Sequence, residues 1–312
     1  MTFTIDFDEN NWDNDILKTL LIDRSTNRNI IWATSDYEDL GSDYNSHLPI
    51  LIESITGYNA GIINPRILKT KENQGNRTKA KAEVFTPSWV CNAQNNLIDN
   101  AWFDAEAVFN IENNNKTWTA IREKIQFPDE KHKTWKDYVD ERRLEITCGE
   151  APYLVSRYDS VTGESIELYR RIGLLDRKLR IVSENTDTEE DWLKWSQRAF
   201  ESIYGFEFQG DSLLLARENL LATYCDYMQD KLKRDPTKDE LLTIAKIISW
   251  NIWQMDGLTF TIPYENAVER TEQMNLFDDA GEEKTTYCII RDWRAKKNNV
   301  FKDLLERGKN NE

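Results

Sequence analysis

Tyr204-Gly205-Phe206-Glu207-Phe208, followed from Asp211 by a long helical pattern, is the stretch on which the reading of the fold turns. An apolar run ends in a carboxylate and then feeds a helix, which is the repeating unit of a parallel sheet covered by helices. Two other segments have the same form. Upstream, Leu144-Glu145-Ile146-Thr147 runs into Cys148-Gly149-Glu150-Ala151-Pro152. Downstream, residues 247–254 run into Met255-Asp256-Gly257-Leu258. A doubly wound sheet binds its ligand at the carboxyl ends of adjacent strands, so the order of the three counts for more than any one of them.

The rest of the chain fits around this alternation. Ile16, Leu17, Leu20 and Leu21 have helical spacing within residues 15–22, and residues 29–34 read as a strand. Residues 71–81 read as a polar loop. Thr86 is the expected cap, and Pro87 the first turn, of a helix running through Ile98. The Asn-rich residues 110–136 read mostly as loop, and 157–201 as an insertion with a helix at 189–200. Asp211 is expected to cap a helix over 212–233, and a helix at 238–246 leads into a strand at 247–254. The expected fold is α/β, with a Rossmann-like sheet, helices on both faces and an N-terminal extension. The extension covers residues 1–80 and the main domain 81–312.

Composition excludes several classes. No apolar run approaches the roughly 18 residues that span a bilayer, and Met1 to Asp8 lacks a basic, signal-type start, so a cytoplasmic protein is expected. Cys91, Cys148, Cys225 and Cys288 are scattered without a CxxC pair, which suggests reduced thiols and no metal site. His47 and His132 are the only histidines, which argues against histidine-dependent hydrolysis. A net charge of −15 argues against the chain gripping DNA alone, since cations supply most non-specific affinity. Two basic clusters stand out: Arg66, Lys69, Lys71, Arg77, Lys79 and Lys81, and Arg291, Arg294, Lys296, Lys297 and Lys302. Ordinary solvated charge is the favoured reading of both.

The three acid-bearing segments have a common chemistry. A ribose diol needs an acceptor-only group at a strand end, and Glu207 with Phe208 is placed for it. An adenine ring needs an acceptor for its amine and apolar surfaces on its faces; Asp256, between Met255 and Leu258, offers both. An amino-acid tail needs close backbone approach, which Gly149 allows beside Thr147 and Cys148. It also needs a carboxylate for its ammonium, from Glu145 or Glu150. Read singly, Glu207 is as well explained as a strand-end acid, and Asp256-Gly257 better as a turn.

With these motifs in place the chain resembles the S-adenosylmethionine-dependent DNA adenine-N6 methyltransferases of restriction-modification systems, over about residues 81–258. Glu83-Val84-Phe85-Thr86-Pro87 resembles their Phe-Thr-Pro motif, and Glu145 to Pro152 their first glycine loop. Gly205-Phe206-Glu207 through Ala216-Arg217-Glu218-Asn219-Leu220 resembles the ribose-binding strand and following helix, and Gln254 to Leu258 the adenine-binding motif. The resemblance implies a class I methyltransferase sheet, S-adenosylmethionine as cofactor and contacts from Phe85, Thr86 and Pro87 to its methionine end. Glu150 and Ala151 stand where the family shows a second glycine. The catalytic tetrad, Asn or Asp followed by Pro-Pro and an aromatic, is missing. Ile262-Pro263-Tyr264 keeps part of that pattern too soon after Asp256, and Asp292-Trp293 is the other candidate remnant.

Three functions are consistent with this reading. The first is a modification subunit that binds S-adenosylmethionine and relies on a second methyltransferase or restriction subunit for the tetrad and for DNA. The second is a self-sufficient enzyme using Asp292 and Trp293. The third is a non-catalytic, cofactor-sensing or structural subunit of a restriction or phage-defence complex.

Overall fold

The first helix, α1 (Asn14–Leu21), forms where the spacing predicts it, capped by Asp13, whose carboxylate accepts the Asp15 N–H at 2.9 Å. Its apolar stripe is buried. The computed structural model describes residues 9–69, 86–265 and 286–309; Phe85, Lys71, Arg77, Lys79, Lys81 and the whole of the expected loop 71–81 lie outside them. A short antiparallel pair follows, β1 (Ile22–Asp23) with β2 (Arg28–Asn29).

The strand expected over 29–34 does not form a ladder; beyond β2 there is one bridge, Ile31 to Pro49. A side chain holds this backbone instead. Gln254 accepts the Ile31 N–H at 2.9 Å and donates Nε2 to the Ile31 carbonyl at 2.8 Å, pairing as a strand would. Gly210 donates its N–H to the Trp32 carbonyl at 2.9 Å.

In helix α2 (Ser88–Phe103), Pro87 and not Thr86 holds the cap position. Pro87 has extended backbone and no side-chain acceptor, and Asp159 takes the Ser88 N–H at 2.8 Å in its place. Residues 110–136 contain more structure than expected: a hairpin of β3 (Asn110–Asn113) and β4 (Thr117–Ala120), and the start of α3 (Trp135–Asp140). Asparagine has little strand preference, but Asn110 is buried and hydrogen-bonded to Asn92 and Asn96 of α2, so tertiary contacts fix the strand.

Strand β5 (Arg143–Ile146) is followed by α4 (Leu174–Asn185), α5 (Glu189–Glu201) and β6 (Ile203–Glu207). The stretch read as an insertion is therefore largely the helical crossover that a parallel pair requires. Helix α6 (Gly210–Leu232) and helix α7 (Lys238–Asn251) then lead to β7 (Ile252–Gln254). The isoleucine-rich residues 247–251 belong to α7 and not to the strand, because Ile244, Ile247 and Ile248 are buried and α7 packs along α1. The chain closes with a hairpin of β8 (Ile289–Asp292) and β9 (Lys297–Val300), then α8 (Phe301–Lys309).

The molecule is mixed α/β, with small open sheets and no barrel among the described residues. Its central sheet is parallel, in the order β5-β6-β7. Ile203 and Ile252 join the large core shared with α1 and α4–α7, to which Ile30, Trp32 and Ile50 also contribute. Tyr204, Phe206 and Trp253 form a second cluster with Cys288, Ile290 and Phe301. Helices α1 and α4–α7 thus cover one face, and the β8–β9 hairpin together with helix α8 covers the other.

Strand β5 inverts the expected pattern of a buried apolar strand. Glu145 is buried at 8% exposure, while Leu144 and Ile146 are 43% and 67% exposed. The hairpin and α8 reach over β6 and β7 but stop short of Ile146, and β5 pairs on one side only among the described residues. No helix of the described residues is long and apolar enough to cross a membrane.

Candidate functional site

At the carboxyl ends of β5 and β6 lies a cleft of about 1030 Å³. Glu145, Thr147, Cys148, Gly149, Glu207, Phe208 and Thr86 all border it, so two of the three acid-bearing segments and part of the Phe-Thr-Pro segment meet in space.

The turn after β5 carries three left-handed residues within five positions. Thr147, Gly149 and Ala151 alternate in the left-handed region, at φ 51°, 53° and 64°. Only the middle one is glycine. A β-branched threonine in that conformation is an outlier, and such strain persists only where surroundings over-determine it. Here they do. The Cys148 N–H extends the ladder to the Phe206 carbonyl at 2.8 Å, and Ala151 N–H closes on the Cys148 carbonyl at 2.7 Å. Asn219 on α6 donates to the Glu150 carbonyl at 3.1 Å and the Tyr158 hydroxyl at 3.2 Å. The 216–220 stretch therefore works by bracing the loop, and Arg217 anchors the same helix to the Ile252 carbonyl at 2.8 Å.

Glu207 ends β6 and ties the turn to the strand. One carboxylate oxygen accepts the Gly149 N–H at 2.9 Å; the other accepts the N–H groups of Phe208 at 2.9 Å and Gln209 at 3.2 Å. Glu145 accepts from Tyr153 N–H at 3.3 Å and Leu154 N–H at 3.2 Å. Burial pushes both carboxyls up, Glu145 well above the usual carboxylate range, against the lowering effect of those N–H donors. Burial likewise raises the Cys148 thiol well above its ordinary value, which makes it a wall and not a nucleophile. Glu150, the other candidate for an ammonium, is committed to the Arg66 N–H at 2.8 Å and the Tyr158 hydroxyl at 2.5 Å.

The third segment does not reach the cleft. Asp256 folds into a turn, its carboxylate accepting the Leu258 N–H at 2.8 Å, and Leu258 is 90% exposed. Pro87 does not border the cleft either. Asp292 and Trp293 are held at the opposite, amino end of the sheet: Asp292 pairs with Arg142 at 3.0 Å beside the start of β5, and Trp293 donates to Asn251 at 2.8 Å. The basic residues around them are similarly engaged, Arg294 with Asp140 and Lys302 with the Tyr287 hydroxyl at 3.1 Å. In the first cluster Lys69 pairs with the buried Asp211 at 2.9 Å.

Other residues border the cleft too. Ala33 and Thr34 belong to the N-terminal segment 30–34, which also resembles the DNA adenine-N6 methyltransferases; they and Ser35 border the cleft because Gln254 and Gly210 hold that segment against the sheet. Asn95 borders it from α2. Tyr264, set aside as lying too near Asp256, also lines it, with its ring 5.6 Å from Phe208 and 4.2 Å from His47. The tripeptide that keeps part of the missing tetrad was the available signal for Tyr264.

No protein-family model, curated protein or solved structure matches this chain. The cleft offers two buried carboxyls on neighbouring strand ends, a glycine turn between them and an aromatic wall at Phe208 and Tyr264. That set suits a ligand with a diol, a flat ring and a cationic tail. Among the described residues no group of three His, Cys, Asp or Glu side chains is placed to hold a metal ion.

Proposed function

We propose that this chain is the S-adenosylmethionine-binding modification subunit of a restriction-modification system, of the DNA adenine-N6 methyltransferase type, and that a partner subunit completes it. One observation carries the reading: Glu145 and Glu207 stand at the carboxyl ends of adjacent parallel strands, on either side of the left-handed turn at Gly149. On this reading β5-β6-β7 is one half of a Rossmann-like, doubly wound sheet, and the cleft lies where the strand order would reverse. Glu207 takes one ribose hydroxyl with the lone pair left on the oxygen that accepts the Gly149 N–H, Phe208 and Tyr264 flank the adenine, and Glu145 takes the ammonium. The adenine amine is met by a group other than Asp256.

Two features support dependence on a partner. Among the described residues β5 pairs on one side only, and its other edge, with Leu144 and Ile146 exposed beside the cleft, is where a further strand would add. Asp292 and Trp293 are too far round the sheet to act on a methyl group bound over Glu207. That position, together with the missing tetrad, equally favours the alternative of a non-catalytic, cofactor-sensing subunit of a restriction or phage-defence complex.

Calorimetric titration of S-adenosylmethionine into the purified chain tests the reading. Saturable binding that Glu207→Gln weakens by tenfold or more, about 1.4 kcal/mol, is the expected result. Absence of binding to a folded protein refutes it. Methyl transfer to DNA by the isolated chain would refute the need for a partner.

A further inference from the structure

Strand β5 has a backbone set for pairing on its second edge. Arg143 donates its N–H inward to the Ser202 carbonyl at 3.0 Å, within the parallel ladder to β6. The alternate residues, Leu144 and Ile146, therefore turn their N–H and C=O groups outward, where no strand of the described residues meets them. Such a row is a template for another chain. Apolar side chains gather along it. Leu144 and Ile146 are exposed, Leu97 and Ile98 of α2 are 69% and 41% exposed, and Ile98 borders the same cleft as Leu144 and Ile146. Exposed apolar groups are ordinary when scattered; collected beside one strand edge they mark an interface.

The edge is self-complementary in one register. A twofold axis perpendicular to the sheet pairs β5 antiparallel with β5 of a second copy and keeps the helices of both copies on one face. Residues opposite each other then share a side of the sheet, so the axis passes through one of the four residues of β5. An axis through Arg143 or through Glu145 sets like charges directly against each other, which is destabilising. An axis through Ile146 runs at once into Thr147, whose left-handed backbone ends the strand. An axis through Leu144 sets Leu144 against Leu144, Arg142 against Ile146, and Arg143 against Glu145, each of the last two pairs occurring twice. Within its own chain Arg143 is paired only loosely, with Glu141 at 3.6 Å. Glu145 keeps lone pairs beyond its contacts with the Tyr153 and Leu154 N–H groups.

We infer that β5 pairs antiparallel with β5 of a second copy of this chain about Leu144, joining the two parallel sheets into one. Leu144 forms the hydrogen-bonded pair, because its backbone groups turn outward in both copies. The pairing goes beyond the cofactor reading and does not rest on it. It gives the strand that adds at this edge an owner, and the subunit carrying the tetrad then meets the cleft from the Tyr264 side.

Light scattering on the full chain as it leaves a gel-filtration column tests the dimer. Wild-type protein at micromolar concentration is expected to show twice the chain mass. Ile146→Lys, at an exposed position, sets a second cation against Arg142 and should return the single-chain mass with an unchanged circular dichroism spectrum. Oxidative cross-linking tests the register. Across a hydrogen-bonded antiparallel pair the Cα atoms lie about 5.5 Å apart, inside the range of about 4.4–6.8 Å that a disulfide spans. Leu144→Cys should therefore form a covalent dimer, while Ile146→Cys and the wild-type thiols should not. A wild-type monomer at every concentration, a dimeric Ile146→Lys variant, or cross-linking of Ile146→Cys as readily as Leu144→Cys would overturn the pairing. Titration with S-adenosylmethionine judges the cofactor reading separately: a monomer that binds it leaves that reading standing, and a dimer that does not removes that reading and leaves the pairing.

Discussion

Glu218 is buried in α6 at 1% exposure, and neither of its carboxylate oxygens has a hydrogen-bond partner. Burial pushes its carboxyl well above the usual range, with a further rise from Glu9. Two substitutions separate the costs. Glu218→Gln keeps the shape and the unpartnered polar group but cannot ionise; Glu218→Met removes both. Burying an unpaired polar group costs about 1–3 kcal/mol in proteins, so Glu218→Met should stabilise the fold by about that much.

At about 2.1 cal/mol/K of unfolding entropy per residue, a chain of 312 residues shifts Tm by about 1.5 °C per kcal/mol, giving a rise of about 2–5 °C. The pH dependence has a definite sign. A carboxyl whose folded pKa is raised favours the native state below the unfolded value near 4.5 and loses that contribution as pH rises toward the folded pKa. Glu218→Gln should therefore match wild type near pH 4 and gain on it steadily above that. Thermal melts at a series of pH values provide the assay. A lower Tm for Glu218→Met at pH 7, or a Glu218→Gln advantage that shrinks as pH rises, would show that the carboxylate has a use in the folded protein and refute the reasoning.

Gly210→Ala should destabilise by about 3 kcal/mol, measured as a shift in urea midpoint, because the new Cβ would lie 2.0 Å from the Ile31 carbonyl oxygen. Thr147→Gly should stabilise by up to about 1 kcal/mol, since it relieves a left-handed threonine at the cost of chain entropy, whereas Gly149→Ala should destabilise by about 1–2 kcal/mol from strain alone, its Cβ having open space; the same urea titrations distinguish these outcomes. Asp99→Asn should cost about 3–5 kcal/mol, because it leaves the buried Arg177 guanidinium without its 2.5 Å carboxylate partner, and calorimetric melting would report it. Affinity for a cationic cofactor should rise with pH as the raised Glu145 carboxyl, which faces the charge, ionises; a flat profile by titration calorimetry would argue against its taking the charge.

Much of the local order was written in the chain. The spacing of Ile16, Leu17, Leu20 and Leu21 specified α1, and the apolar run ending at Glu207 marked the strand β6, which the structure buries on both faces. Glu145, Gly149 and Glu207 were legible as a set, since strands of one parallel sheet must bring their carboxyl ends together. What the sequence could not supply were the decisions made by contacts between distant residues. The hairpin at Asn110 exists because three asparagines find each other across 18 positions, and residues 29–34 reach the cleft because Gln254, 223 positions away, pairs with Ile31. Asp292 and Trp293 face away from the cleft because their hairpin crosses the sheet toward its amino end, a direction no local pattern encodes. Two positions of the glycine loop are filled by threonine and alanine held at positive φ, which only the surrounding hydrogen bonds make affordable. Residue pattern dictated which segments become helix or strand wherever burial and periodicity agreed; the tertiary structure alone decided which of their side chains share a cleft.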